Sequence, residues 1–136
     1  MKIVIDKGIK LPIKSHLPDV GLDIFMPQDL QILPFQTCTI GLGIHVSIPE
    51  GFAGMLVPRS SIADKGLIIQ TAIIDPDYTG EIHLIITNCS MESQFIFKDS
   101  RVCSLVVYSV LNARLDVVDE LEVTERGSNG LGSSGL

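Results

Sequence analysis

Tryptophan is absent from this 136-residue chain, and aromatic residues make up only 5% of it. A core without large rings must be filled by Ile, Val and Leu, and that favours strands over helices. Basic residues are also few, ten Lys and Arg against sixteen Asp and Glu, for a net charge of −6. That balance excludes a general nucleic-acid binder, which needs a basic stripe to neutralise phosphates. It leaves room for a small anionic substrate, because a few local Arg residues and a divalent cation override the global charge. Cys38, Cys89 and Cys103 are odd in number and form no C-x-x-C pair. Neither a disulfide framework nor a zinc knuckle is indicated, and apolar thiols in a reducing compartment are expected. His16, His45 and His83 lie too far apart for metal-ligand spacing. No apolar run approaches the roughly 18 residues of a membrane span. The opening Met1-Lys2-Ile3-Val4-Ile5-Asp6 holds too short a run for a signal peptide. The expectation is a soluble, cytoplasmic protein without nucleic-acid or membrane partners.

Hydrophobic residues nevertheless make up 46% of the chain, enough for one domain to bury a core unaided. They fall in short runs: Ile3–Ile5, Gly21–Met26, Thr37–Ile48, Gly54–Val57, Leu67–Ile74, Ile82–Thr87, Gln94–Phe97 and Arg101–Val110. Turn residues separate them, among them Pro49 to Gly51, Pro76-Asp77 and Lys98 to Ser100. This spacing predicts an all-β barrel or sandwich. Ser60 to Lys65 alone reads as a short helix, capped by a serine and stopped by Gly66. The segment Arg126 to Leu136 is nearly all Gly and Ser, so residues 1–125 are assigned to the barrel and 126–136 to a flexible arm.

Chemistry concentrates at four places. Asp75-Pro76-Asp77-Tyr78-Thr79-Gly80-Glu81 sits between two apolar runs and reads as a β-hairpin that presents Asp75 and Tyr78 to a small ligand. Pro58-Arg59-Ser60-Ser61 opens the short helix with an Arg, two hydroxyls and free N–H groups, a combination suited to an anion. Gly21-Leu22-Asp23 puts a carboxylate at the start of a strand, where it could support Mg²⁺ directly or through water. Gly130-Leu131-Gly132-Ser133-Ser134-Gly135 matches G-x-G-x-x-G in letters, but only Leu136 follows, so no dinucleotide-binding helix can form.

In order along the chain, these residues resemble the five motifs of the trimeric dUTP pyrophosphatase (dUTPase) family. Val20-Gly21-Leu22-Asp23-Ile24 looks like the first, Pro58-Arg59-Ser60-Ser61 with Lys65 like the second, and Ala72 to Glu81 like the third. Arg101-Val102-Cys103-Ser104 is similar to the fourth and Arg126 to Gly135 to the fifth. The chain departs from the family pattern at Val20, Ala72, Ser104 and Leu131. Leu131 stands where the family has a Phe over the uracil ring, and losing aromatic stacking there costs on the order of 1 kcal/mol.

The resemblance implies a distorted jelly-roll β-barrel and Mg²⁺-dependent hydrolysis of dUTP to dUMP and pyrophosphate. It makes Asp75 the catalytic base for a water attacking the α-phosphorus, and it sets Tyr78 beneath the deoxyribose. It gives phosphate or substrate contacts to Arg59, Ser60, Ser61, Lys65, Ser104 and Arg126, with Gly130, Leu131, Gly132, Ser133 and Ser134 closing over the nucleotide. Asp23 would support Mg²⁺ through water, and the active sites would be shared between subunits of a homotrimer. Two other readings stay open. A dCTP deaminase has a similar central stretch but needs a Glu where this chain has Ile85, and Ile cannot shuttle protons. A non-catalytic nucleotide-binding trimer of the same fold is motivated by Ser104 and Leu131.

Overall fold

Glu-Ile-His-Leu-Ile-Ile-Thr-Asn, residues Glu81–Asn88, buries every second side chain: Ile82, Leu84, Ile86 and Asn88 point inward. Such alternation makes a strand with one face on the core. In the structure, a computed structural model that describes residues 1–130, this strand lies inside a four-stranded sheet. Numbered in chain order, the strands are β1 (Lys2–Ile5), β2 (Leu22–Phe25), β3 (Leu30–Ile32), β4 (Thr37–Ser47) and β5 (Phe52–Pro58). The helical turn α1 (Ser60–Ala63) comes next. It is followed by β6 (Leu67–Ile69), β7 (Ile73–Ile74), β8 (Glu81–Asn88), β9 (Gln94–Ile96) and β10 (Arg101–Ser109).

One sheet has the order β1-β4-β8-β6 and a second has β2-β10-β5-β7; β3 and β9 form a separate pair. All pairings are antiparallel. Successive strands alternate between sheets, which gives the distorted jelly-roll barrel expected from the sequence. The core between the sheets is aliphatic. Ile24, Ile32, Leu42, Ile44, Leu84, Ile86 and Val102 are fully buried, and Phe25 is the one buried aromatic among the described residues.

The expected strands form, with three differences. Leu30–Ile32 is an additional short strand. The run Leu67–Ile74 divides into β6 and β7, which join different sheets. The segment after Ile74 is therefore not a hairpin: β7 pairs with β5, β8 pairs with β4 and β6, and the Asp75–Gly80 turn crosses between sheets. The short helix starts from Arg59 in extended conformation and makes no side-chain capping bond, so no serine caps it. It ends at Ala63 with Asp64 as its C-cap, and the turn that follows closes at Gly66, whose φ of 71° lies in the left-handed region. After Ser109 the chain leaves the sheets. Residues 111–130 contain no strand, and Leu111, Leu115, Val117, Leu121 and Val123 stand exposed.

Candidate active site

Asp23 on β2 lies directly opposite Ser104 on β10. Its backbone also pairs with Ile13, with N–H···O distances of 2.7 and 3.2 Å, and this draws the loop carrying Ser15 against the carboxylate. Oδ2 accepts from the Ser15 hydroxyl at 3.0 Å and from Arg101 Nη1 at 3.2 Å, and it also pairs with Arg59 Nη1. Oδ1 accepts from Ser104 Oγ at 3.0 Å. Arg101 Nη1 donates to Ser15 Oγ as well, at 2.5 Å.

A bulge assembles this cluster. The β10–β2 register shifts between Arg101 and Cys103. Val102 and Cys103 are both buried in succession, so Arg101 and Ser104 emerge on the same side of β10. Gly21 makes the approach possible, because a Cβ there would stand 2.8 Å from the Ser104 Cβ. Asp23, Arg59, Arg101 and Ser104, with Ser15 and His16, line a cavity of about 500 Å³.

Asp23 is 6% exposed. Burial alone would raise its pKa, but the hydrogen bond from Arg59, those from the Ser104 and Ser15 hydroxyls and the Arg59 charge outweigh it. The carboxyl is held below its ordinary value and stays ionised at neutral pH. Beneath it, burial and then the Asp23 charge push the Cys103 thiol up to about 12, so this cysteine is an inert part of the core.

Asp75 and Tyr78 line a second cavity, of about 240 Å³, together with Ile73, Ile74, Glu81 and His83. Tyr78 N–H donates to the Asp75 carbonyl at 3.2 Å, which closes the turn. The Tyr78 hydroxyl donates to the Glu81 carbonyl at 2.8 Å. Its ring folds back over Gly80, where a Cβ would meet the hydroxyl at 2.6 Å. Among the described residues, none that lines this cavity lines the Asp23 cavity.

Of the remaining predicted residues, those that the structure describes line neither cavity. Ser60, Ser61 and Lys65 are exposed along α1 and just beyond it. Arg126 is exposed and its Nε donates to the Asn129 carbonyl at 3.0 Å; Gly130 is exposed as well. Leu131, Gly132, Ser133 and Ser134 lie outside the described residues. Arg101 and Ser15 join the Asp23 cluster without having been singled out from sequence. Arg101 opens the fourth motif and so had a signal, whereas Ser15 sits in a loop with none.

Among the described residues, no three His, Cys, Asp or Glu side chains gather as a metal cage. The donor set does suit an outer-sphere role. An ionised carboxylate offers about four lone-pair sites, and among the described residues Asp23 Oδ1 accepts only from Ser104. A water held by a phosphate-bound Mg²⁺ could use the remainder, and Mg²⁺ keeps its waters and favours phosphate oxygens.

The β-barrel thus carries a cavity lined by two guanidiniums and a separate cleft lined by Asp75 and Tyr78, a combination of groups suited to a phosphorylated small molecule. Comparison with known proteins narrows this reading. The dUTPase family model matches residues 7–135, and the chain belongs to that family. It is 37% identical over 139 residues to the deoxyuridine 5'-triphosphate nucleotidohydrolase of Corynebacterium jeikeium, covering 97% of this chain and 90% of the relative. It is 34% identical over 127 residues to the protein of the same name from Saccharomyces cerevisiae, covering 92% of this chain and 86% of the relative. A mutant dUTPase of Staphylococcus bacteriophage 80alpha, solved with dUpNHpp, superposes with a TM-score of 0.94 at 28% identity, covering 99% of this chain and 98% of that one.

Proposed function

We propose that this protein hydrolyses dUTP to dUMP and pyrophosphate. The observation that carries the reading is the pairing of a phosphate-suited cavity, with Arg59 and Arg101 around an ionised Asp23, and a cleft that presents Asp75 beside an aromatic ring. The family match over residues 7–135 supplies the substrate class. The nucleoside enters the Asp75/Tyr78 cleft, with the Tyr78 ring against the deoxyribose leaving no room for a ribose 2′-hydroxyl. Asp75 takes a proton from a water whose oxygen bonds to the α-phosphorus, while the bond from that phosphorus to the bridging oxygen breaks and pyrophosphate leaves. Arg59, Arg101, Ser60, Ser61, Lys65 and Ser104 supply the phosphate environment.

Arg126 takes the γ-phosphate, and Gly130, Leu131, Gly132, Ser133 and Ser134 close over the nucleotide and exclude water. When bound, Mg²⁺ neutralises phosphate charge, and Asp23 supports it through a water. In this reading neighbouring subunits of a homotrimer complete each site, and the support for it is that the described residues lining the two cavities do not overlap.

The test is pyrophosphate release by the purified protein with Mg²⁺, offered dUTP, dCTP, dTTP and UTP in parallel. Release from dUTP alone is expected. One observation favours a second reading: the Ser104 hydroxyl is already committed to Asp23, so a polar contact to phosphate is weakened. Tight dUTP binding by calorimetry without release from any nucleotide would select the non-catalytic binding trimer.

A further inference from the structure

Glu81 has no part in the chemistry above, yet both its ends are engaged. Its carboxylate lies over the backbone of β4, where Oε1 accepts the Gly43 N–H at 2.8 Å. The β4–β8 register slips between Gly41 and His45, and Gly43 has a φ of 63°. Those two features turn the Gly43 N–H toward the carboxylate. Gly41 leaves the necessary space, since a Cβ there would strike the Glu81 carboxylate itself.

The other end of Glu81 holds the cleft. Its carbonyl accepts from the Tyr78 hydroxyl at 2.8 Å and lies 2.9 Å from His83 Nδ1. Tyr78, Glu81, His83 and Asp75 line the same cavity. Tyr78 is 45% exposed and its ring rests on Gly80, so core packing does not fix its position. Glu81 is thus the joint between a bulge in the central sheet and the tyrosine ring.

We propose that Glu81 is a positioning residue that sets the placement of the Tyr78 ring, and through it the discrimination between deoxyribonucleotide and ribonucleotide. The proposal rests on the reading of this cleft as the nucleoside side of the site. A ring free to tilt opens space for a 2′-hydroxyl, and small displacements of a positioning group are amplified in rate and selectivity. Glutamine at this position retains an oxygen acceptor for the Gly43 N–H, whereas alanine does not.

The experiment measures kcat and KM for dUTP and UTP with wild type, Glu81→Ala, Glu81→Gln and Tyr78→Phe. Glu81→Ala and Tyr78→Phe should each lower the dUTP-to-UTP ratio of kcat/KM by about tenfold, chiefly through KM, and Glu81→Gln should keep the wild-type ratio. A folded Glu81→Ala protein with the wild-type ratio overturns the proposal. Should Glu81→Ala fail to fold, Tyr78→Phe cuts the same link from the other end, and an unchanged ratio there overturns it equally. If wild type releases no pyrophosphate from dUTP, the proposed function falls instead. The ratio is then read from calorimetric Kd values for the two nucleotides across the same variants. Loss of preference in Glu81→Ala still supports the proposal, and equal preference in wild type and Glu81→Ala overturns it.

Discussion

Asp23 gathers Ser15 from the loop before β2, Arg59 from the end of β5, and Arg101 and Ser104 from β10 onto its two oxygens. Removing the charge leaves two guanidiniums converging on one position without a counter-charge. Both Arg side chains are partly in water, at 30% and 41% exposure, so the cost falls below that of breaking a fully buried pair. We expect Asp23→Asn to lose about 2 kcal/mol of stability at neutral pH. The pH dependence has a fixed sign. The folded-state pKa of Asp23 is lowered, so its contribution is fully present above the ordinary value of 3.8 and is lost as pH falls through the folded value. Urea unfolding of wild type and Asp23→Asn should therefore give a constant gap from neutral pH down to about 4, narrowing only below that. A gap that already closes near pH 6, roughly the histidine range, would assign the stabilisation to other groups.

The β8–β9 connection depends on one buried polar side chain. Asn88 is fully buried at the end of β8 and satisfies all its hydrogen-bonding capacity. Nδ2 donates to the carbonyls of Ile32 and Glu92 at 3.0 and 2.7 Å, and Oδ1 accepts from the Ser90 N–H and hydroxyl at 2.9 and 2.8 Å. Asn88→Ala strands these groups and detaches β3 from the turn, a cost of about 3 kcal/mol that a lowered denaturation midpoint should report. Elements like β8 and β4 were legible in the sequence because long alternating runs carry their own periodicity. Leu30–Ile32 is too short to carry any, and its partner β9 lies far along the chain. The turn signal at Asp75–Gly80 correctly marked a reversal, but turn residues do not specify which sheet the flanking strands join. Arg59, Asp75 and Tyr78 were marked by type and order. Arg101 needed the bulge at Val102–Cys103 to face Asp23, and Ser15 needed the Ile13–Asp23 bridge; both are tertiary facts with no local signature.

At the scale of the whole molecule, two features make one chain look incomplete. Leu111, Leu115, Val117, Leu121 and Val123 are each at least 88% exposed beyond the last strand, a run of apolar side chains that a soluble monomer rarely displays. Among the described residues, none lines both the Asp75 cleft and the Arg59 cavity. If a homotrimer completes each site from the cleft of one subunit and the cavity of the next, damage to the two halves can be separated. Asp75→Asn and Arg59→Ala trimers should each be nearly inactive on dUTP. Co-expressed at equal levels, they form mixed rings in which an intact site needs an Arg59→Ala subunit to supply the cleft and an Asp75→Asn subunit to supply the cavity. Random cyclic assembly makes that true of about one site in four, so the mixture should regain roughly a quarter of wild-type pyrophosphate release. Activity no higher than that of the single variants, with mixed trimers verified by mass spectrometry, would place both halves of each site in one subunit.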